Sequence, residues 1–374
     1  MSRTLVFVYD HFYPDYSAGG PITSLANLAK LLGGSCTIKI LTSAYYYDSG
    51  KSFTGIALDQ WTTSGNFTAW YATSSASIIH AIDSLPADAT VYLNGIFSTN
   101  YFLGVLRHAR KRKLDIVVSP RGMLQAGALR NKSFKKQAYL FVLKAFGLLK
   151  GVRWHATDDQ ERADIRSQFG SQSIVEVIPN IPRQPATKSS GIVKEPGALK
   201  LIYFSLVARK KNVGFVVDLL ASSELTGVTL DIVGPIKDKD YWNECQDSIG
   251  RANGTVNYLG DVNPDSVNDL LSKYHLFVLP THGENFGHAI LEALSSWRPV
   301  LISEYTPWRD VTFLGGSFSI PLVSSQWTEK LKEVRSWNQE QFDNVAVTAM
   351  EYFRKKINMS AMRSMYLSLF RIQS

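Results

Sequence analysis

Glu284 and Glu292 flank a glycine-containing turn within Thr281 to Glu292, read as THGENFGHAILE. The apolar run His275 to Pro280 before it reads as a buried strand, and Ala289 to Leu294 after it has helical spacing. One acid then lies in a strand-to-helix loop and the other about two turns into the helix. Such a turn aims free backbone N–H groups and the positive end of the helix dipole at one place, which suits a phosphate. Two carboxylates so placed could also serve as an acid–base pair, and the turn alone does not choose between these chemistries.

Other clusters point to structure rather than catalysis. Asp238-Lys239-Asp240 has a metal-binding look, but it follows Gly234-Pro235 and opens a helix, so N-terminal capping is the better reading. His275, His282 and His288 fall on a strand, a loop and a helix without zinc-type spacing. Asp158-Asp159 reads as a helix cap. No metal is expected.

The elements around these residues alternate between strand and helix. Strands are expected at Leu5–Tyr9, Thr37–Leu41, Phe67–Tyr71, Thr90–Leu93, Asp115–Ser119, Arg153–Ala156 and Ser173–Ile178. Helices are expected over Pro21–Leu32, Ser77–Leu85, Tyr101–Lys111 and Phe134–Leu149. A Pro- and Gly-containing stretch, 183–199, reads as a linker between a first domain, 1–182, and a second, 200–349. In the second domain the pattern restarts with strands at Lys200–Val207, Val228–Val233, Thr255–Leu259 and Val300–Ser303, with Pro264–Lys273 as a helix. Gln339–Leu369 is helical with no strand to pair with, and the tail 350–374 is expected to pack back on the first domain. Two successive α/β runs imply two Rossmann-like domains that bind ligands at the carboxyl ends of their strands.

The chain has 374 residues, 45% hydrophobic and 19% charged, which excludes a disordered or fibrous class. No apolar run approaches the ~20 residues of a membrane span, and the N-terminus lacks a signal-peptide pattern. Cys36 and Cys245 form neither a disulfide framework nor a metal site, so a reducing cytoplasm is expected. The net charge of +8 concentrates between Arg107 and Arg153, where Asp115 is the only acid. This region, 107–153, mixes cations with aromatic and aliphatic residues. It fits either an anionic membrane surface, on the inner face, or a solvated basic helix over an ordinary apolar stripe. Nucleic acid is not expected, because no recognition motif accompanies the charge.

ENFGHAILEAL followed by Arg298-Pro299-Val300-Leu301-Ile302-Ser303 resembles the glutamate-x7-glutamate signature of glycosyltransferase family 4. The resemblance spans most of the chain. It includes Ala18-Gly19-Gly20-Pro21, Ser119-Pro120-Arg121-Gly122-Met123-Leu124, Val177-Ile178-Pro179-Asn180, Lys210-Lys211-Asn212 and Thr306-Pro307-Trp308-Arg309-Asp310. Each motif is weak by itself, and their order and spacing carry the match. It implies the GT-B fold, two facing Rossmann-like domains with a cleft between them. It also implies a retaining, metal-independent hexosyltransferase that uses a UDP- or GDP-sugar and a glycan or lipid-linked acceptor, as in cell-surface polysaccharide synthesis.

Transfer from such a donor expels a nucleotide diphosphate, so stabilising charge on phosphate is the main task. The resemblance assigns Lys211 to the diphosphate, Glu284 to the donor sugar's hydroxyls and Glu292 to the ribose hydroxyls. A carboxylate suits both clamps because it accepts from two hydroxyls at once. The amides of Asn285, Phe286 and Gly287 face the same place, and Gly19 and Gly20 permit close backbone approach to the donor. For this glycine pair, turn chemistry before a helix is the alternative.

Two departures from the family pattern stand out. An arginine common five residues before the phosphate-binding lysine is replaced by Leu206, with Arg209 or Lys210 as substitute cations. Histidines common in relatives are replaced by Asn94 and Arg121; Arg121 cannot act as a base but can bind an anion at the reaction centre. These departures motivate a second reading, a catalytically weak sugar-nucleotide-binding or scaffold subunit. An epimerase or a phosphorylase on the same fold is a third.

Overall fold

The computed structural model describes residues 3–372 except 16–19, 48, 65–66, 131–132, 188–190, 223–224, 253–254 and 264–265. The chain divides into two compact units, Met1–Ile181 with Met359–Ser374, and Pro182–Asn358.

The first unit is built on β1 (Thr4–Val8), β2 (Thr37–Ser43), β3 (Trp61–Ser64), β4 (Phe67–Ala72), β5 (Thr90–Asn94), β6 (Asp115–Ser119), β7 (Arg153–Ala156) and β8 (Val175–Val177). Their spatial order is β3-β4-β2-β1-β5-β6-β7-β8, parallel throughout apart from the antiparallel β3–β4 pair. Every residue of β1 and β5 is buried, which explains their near-continuous apolar sequence. The order reverses between these two strands, so the loops after them diverge and open a crevice. Helices α1 (Gly20–Leu32), α2 (Ser75–Asp83), α3 (Val105–Lys111), α4 (Ala126–Arg130), α5 (Ser133–Ala145) and α6 (Asp159–Phe169) complete this part of the unit. Asp158 caps α6 by accepting from the Glu161 amide at 2.7 Å, the role read from sequence.

The second unit has β9 (Leu199–Phe204), β10 (Val228–Val233), β11 (Val256–Gly260), β12 (Leu276–Leu279), β13 (Val300–Ser303) and β14 (Phe318–Ile320), in the order β11-β10-β9-β12-β13-β14 and all parallel. Its helices are α7 (Val213–Ser222), α8 (Lys239–Arg251), α9 (Val267–Leu271), α10 (His288–Ser295), α11 (Ser324–Ser336) and α12 (Gln339–Lys356). Here the order reverses between β9 and β12. Asp238 caps α8, its side chain accepting from the Tyr241 amide at 3.0 Å. Cys36 and Cys245 are buried free thiols, one in each unit.

Several boundaries differ from the sequence reading. The helix expected to reach Leu149 stops at Ala145, and Gly147, with φ +58, bonds back to Lys144 in the turn that follows. The helical tail is two helices, α12 and α13 (Met359–Leu369), and only α13 belongs to the first unit. The stretch read as a linker belongs to the second unit, where Lys194 is 2% exposed. Its ammonium donates to the carbonyls of Glu195, Arg335 and Trp337 at 2.9, 3.0 and 2.9 Å. A polar, proline-containing sequence hides such packing because burial here rests on backbone partners that no pattern reveals. The two parallel-sheet α/β units and the helical tail make this the GT-B fold.

Candidate functional site

The loops after β9 and β12 meet at the switch point of the second sheet. Residues Arg209–Lys211 form a 3-10 turn, and Asn212, at φ +58, turns the chain into α7. The loop after β12 is fastened to it: the His282 amide donates to the Lys210 carbonyl at 2.8 Å, and the Thr281 hydroxyl lies 3.1 Å from that same oxygen. Thr281 is fully buried, and Ser303 donates to its carbonyl at 2.5 Å. This stitching brings the Lys211 ammonium and the Glu284 carboxylate into an ion pair, both side chains about five-sixths buried (17% and 16% exposed).

The turn into α10 has little room. Gly287 is at φ +77, and a Cβ there would sit 3.0 Å from Trp308 Nε1 and 3.2 Å from Glu284 Cγ. Trp308 Nε1 donates to the Phe286 carbonyl at 2.6 Å, while the Glu284 amide donates to the Tyr305 carbonyl at 3.0 Å. Among the described residues, the amides of Asn285, Phe286 and Gly287 donate no backbone hydrogen bond, so they remain available as donors. Beside the turn is a cavity of about 770 Å³, lined by Lys210, Glu284, Asn285, Thr306, Arg309, Asp310 and Lys356 among others. Asp310 is held by Tyr352, whose hydroxyl donates to it at 2.6 Å, and by an ion pair with Lys356.

Glu292, which the resemblance assigns to the ribose hydroxyls, lies inside the second unit. It is 4% exposed, on a helix buried from Ile290 through Ser295, and Arg183 Nε lies 3.5 Å from its Oε1. Burial pushes its carboxyl up to about 7, with Arg183 opposing the rise. Arg209 turns away from Glu284. Its guanidinium forms a two-point pair with Glu244 on α8 at 3.0 and 2.6 Å and lies over the Tyr241 ring. Of the two substitute cations, Lys210 lines the cavity, together with Arg309 and Lys356.

Arg121 and Gly20 belong to the first unit, Gly20 as the first residue of α1. Gly19 lies outside the described residues. Arg121, at φ +56, donates from Nε to Asn94 Oδ1 at 2.9 Å and from its terminal nitrogens to Tyr92 at 3.0 Å and to Asn180. The Tyr92 hydroxyl lies 2.6 Å from His155 Nδ1, and His155 Nε2 lies 2.8 Å from the Ile178 carbonyl. His155 is fully buried, and burial lowers its pKa to about 3, so it is neutral and serves the network rather than proton transfer. Tyr366 of α13 closes the group, donating to the Pro179 carbonyl at 3.1 Å.

Two positioning residues escaped the sequence reading. Glu161 is 1% exposed and accepts from the Gly122 amide at 2.6 Å and the Thr157 amide at 2.7 Å, which fixes the turn carrying Arg121. Its place at the third residue of α6 signals only a cap. Thr281 precedes the signature and gives no sign that its hydroxyl joins two loops. Among the described residues no cluster of three metal-ligating side chains occurs.

Residues 198–315 match the family described as glycosyl transferases group 1, a segment that contains Lys211, Glu284 and Glu292. No curated protein matches the chain. Similar solved structures include Anabaena Alr3699/HepE in complex with UDP and glucose, at 13% identity and TM-score 0.68, covering 99% of this chain and 100% of that one. Sucrose-phosphate synthase from Thermosynechococcus elongatus is similar at 13% identity and TM-score 0.69, with 99% and 98% covered. WaaG, a glycosyltransferase involved in lipopolysaccharide biosynthesis, is similar at 15% identity and TM-score 0.63, with 99% and 100% covered.

Proposed function

We propose that this chain is a retaining glycosyltransferase that moves a sugar from a nucleotide-diphosphate sugar to a glycan or lipid-linked glycan. The observation that carries the reading is the Lys211–Glu284 pair at the β9–β12 switch point, beside a turn with free amides. The family match over 198–315 supports it, and so do similar structures, one in complex with UDP and glucose and one a glycosyltransferase involved in lipopolysaccharide biosynthesis. On donor binding, Lys211 exchanges its bond to Glu284 for the diphosphate. This frees the carboxylate to accept sugar hydroxyls, and the 285–287 amides and Lys210 add further stabilisation of the leaving charge. Glu292 accepts from the ribose hydroxyls. The leaving phosphate takes the acceptor proton, so no side chain is needed as general base. A UDP-sugar is the first donor to test, and no metal is required by this scheme.

Lys211→Ala and Glu284→Ala decide the reading. Each is expected to lower UDP-sugar turnover ~100-fold or more, the cost typical of losing one transition-state donor or positioning group. Transfer at the native rate in either variant would remove the assigned roles. Leu206 and the Arg209–Glu244 pair favour one other reading, a sugar-nucleotide-binding subunit with little turnover, because both subtract a cation from the phosphate site. UDP binding without transfer over a broad acceptor panel would favour that subunit.

A further inference from the structure

The basic region 107–153 divides into two populations. Arg110 donates to the Leu148 carbonyl at 2.7 Å, Arg112 to that of Leu85 at 2.8 Å, and Arg153 pairs with Asp115 beneath the surface. Together with Arg121, these arginines hold the fold and contribute little outward charge. Lys136, one of the lysines expected to face a membrane, donates to the Ala128 carbonyl at 2.6 Å and lies over Phe97; Lys132 lies outside the described residues.

Helix α5 shows the opposite behaviour. Its inward side, Leu140 and Leu143, is at most 1% exposed. On its outer side Phe134 is 85% exposed and Phe141 70%, and Phe146 just beyond its end is 74% exposed. At 3.6 residues per turn, Phe134, Ala138, Phe141, Val142 and Ala145 share an arc of roughly 100°. Lys135 borders that arc on one side and Lys144 on the other, both exposed, Lys144 with a surface hydrogen bond to Gln168 at 3.1 Å and its ammonium over Phe169. From residue 116 to 157 the sequence has no Asp or Glu. Scattered surface hydrophobics need no explanation, but aromatic side chains in register along one solvent face, edged by lysines, do.

We infer that the outer face of α5, with Phe146, is a docking surface for an anionic lipid bilayer. The aromatic arc enters the headgroup–acyl boundary while Lys135 and Lys144 stay at the level of the phosphates. Charge selects this occupant over a second copy of the chain, since two such faces would bring lysines together with no acid to offset them. Among the described residues no helix is long and apolar enough to cross a membrane, so the helix lies on the surface. The inference is independent of the transferase reading, because the test below needs no turnover.

The test is co-sedimentation of the full chain with vesicles of phosphatidylglycerol and phosphatidylcholine, and with phosphatidylcholine alone. The native chain should bind the anionic vesicles at least tenfold more tightly. The double variant Phe134→Ser/Phe141→Ser should lose binding at least tenfold with an unchanged melting temperature, since both residues are exposed. Lys135→Glu/Lys144→Glu should lose binding to anionic vesicles specifically. A fluorophore on Phe141→Cys, with the native thiols buried, should shift to the blue on adding anionic vesicles. Absence of native binding, or binding unaltered by the serine pair, would overturn the inference. So would sedimentation velocity showing a native dimer that the serine pair dissociates.

Discussion

Arg121 Nε donates to Asn94 Oδ1 at 2.9 Å, so the two residues that stand where the sequence resemblance would place histidines are bonded to each other. The departures are one feature rather than two. A guanidinium replaces an imidazole, and a neighbouring amide oxygen accepts from it.

That pairing predicts non-additivity. Arg121→Ala and Asn94→Ala should each destabilise the protein, and the double variant should cost less than their sum. The coupling expected for a direct contact within a network is ~0.5–3 kcal/mol. Urea unfolding of the four proteins in the cycle measures it, and strictly additive losses would show that the bond contributes nothing.

Glu292 predicts a pH dependence. Its folded pKa of about 7 lies above its ordinary 4.5, so the native state keeps a proton that the unfolded chain has shed between these values. The contribution to stability is therefore full below about 4.5 and is lost as pH rises through about 7, a change of about 3 kcal/mol by linkage. Glu292→Gln should flatten that slope in melting curves taken across the window. If the carboxylate clamps ribose, UDP binding near pH 7 should release a proton. Calorimetry in buffers of different ionisation enthalpy reads this directly.

Gly287→Ala should weaken both fold and site. The left-handed backbone strains any L side chain, and a methyl would press on Trp308 Nε1, Ile290 and Glu284 at 3.0–3.2 Å; strain of this kind costs ~1–3 kcal/mol. Because the same turn presents the 285–287 amides, UDP affinity should fall with stability. A variant with native UDP affinity would separate the turn from the phosphate site.

Leu206→Arg tests the missing cation. Leu206 ends the strand side of the Lys211 loop, and its carbonyl accepts from Tyr203 at 2.8 Å, a bond the substitution keeps. A charge-assisted bond to phosphate is worth ~1.5–3 kcal/mol, so UDP should bind about tenfold or more tightly. An unchanged Kd would mean that Lys210 and Lys211 already supply the charge the site uses.

The strands were the legible part of the fold, because β1, β5 and β12 are buried, largely apolar runs, β9 is apolar but for Lys200, and the turns between them carry glycine or proline. The short edge strands β3 and β14 were not, since three or four residues with mixed polarity carry no period. In the site, Lys211 and Glu284 could be paired from motif order. Their mutual ion pair, the diversion of Arg209 to Glu244 and the burial of Glu292 against Arg183 could not. Each depends on a contact between distant segments that spacing along one segment does not encode. The outward turn of α5 was hidden for a related reason: its apolar residues occupy two faces, and periodicity does not say which is the inside.

Helix α13 gives the molecule a constraint in time. It closes the first unit, placing Tyr366 against His155 and Phe370 against Phe7 and Tyr92, yet it is synthesised only after the second unit. The chain's first 181 residues therefore emerge without the piece that covers their own core, and must wait for the entire second unit to be synthesised before it arrives. Maturation of the first unit therefore waits for the segment beyond Met359, and a nascent chain arrested anywhere before that residue carries an uncapped first unit.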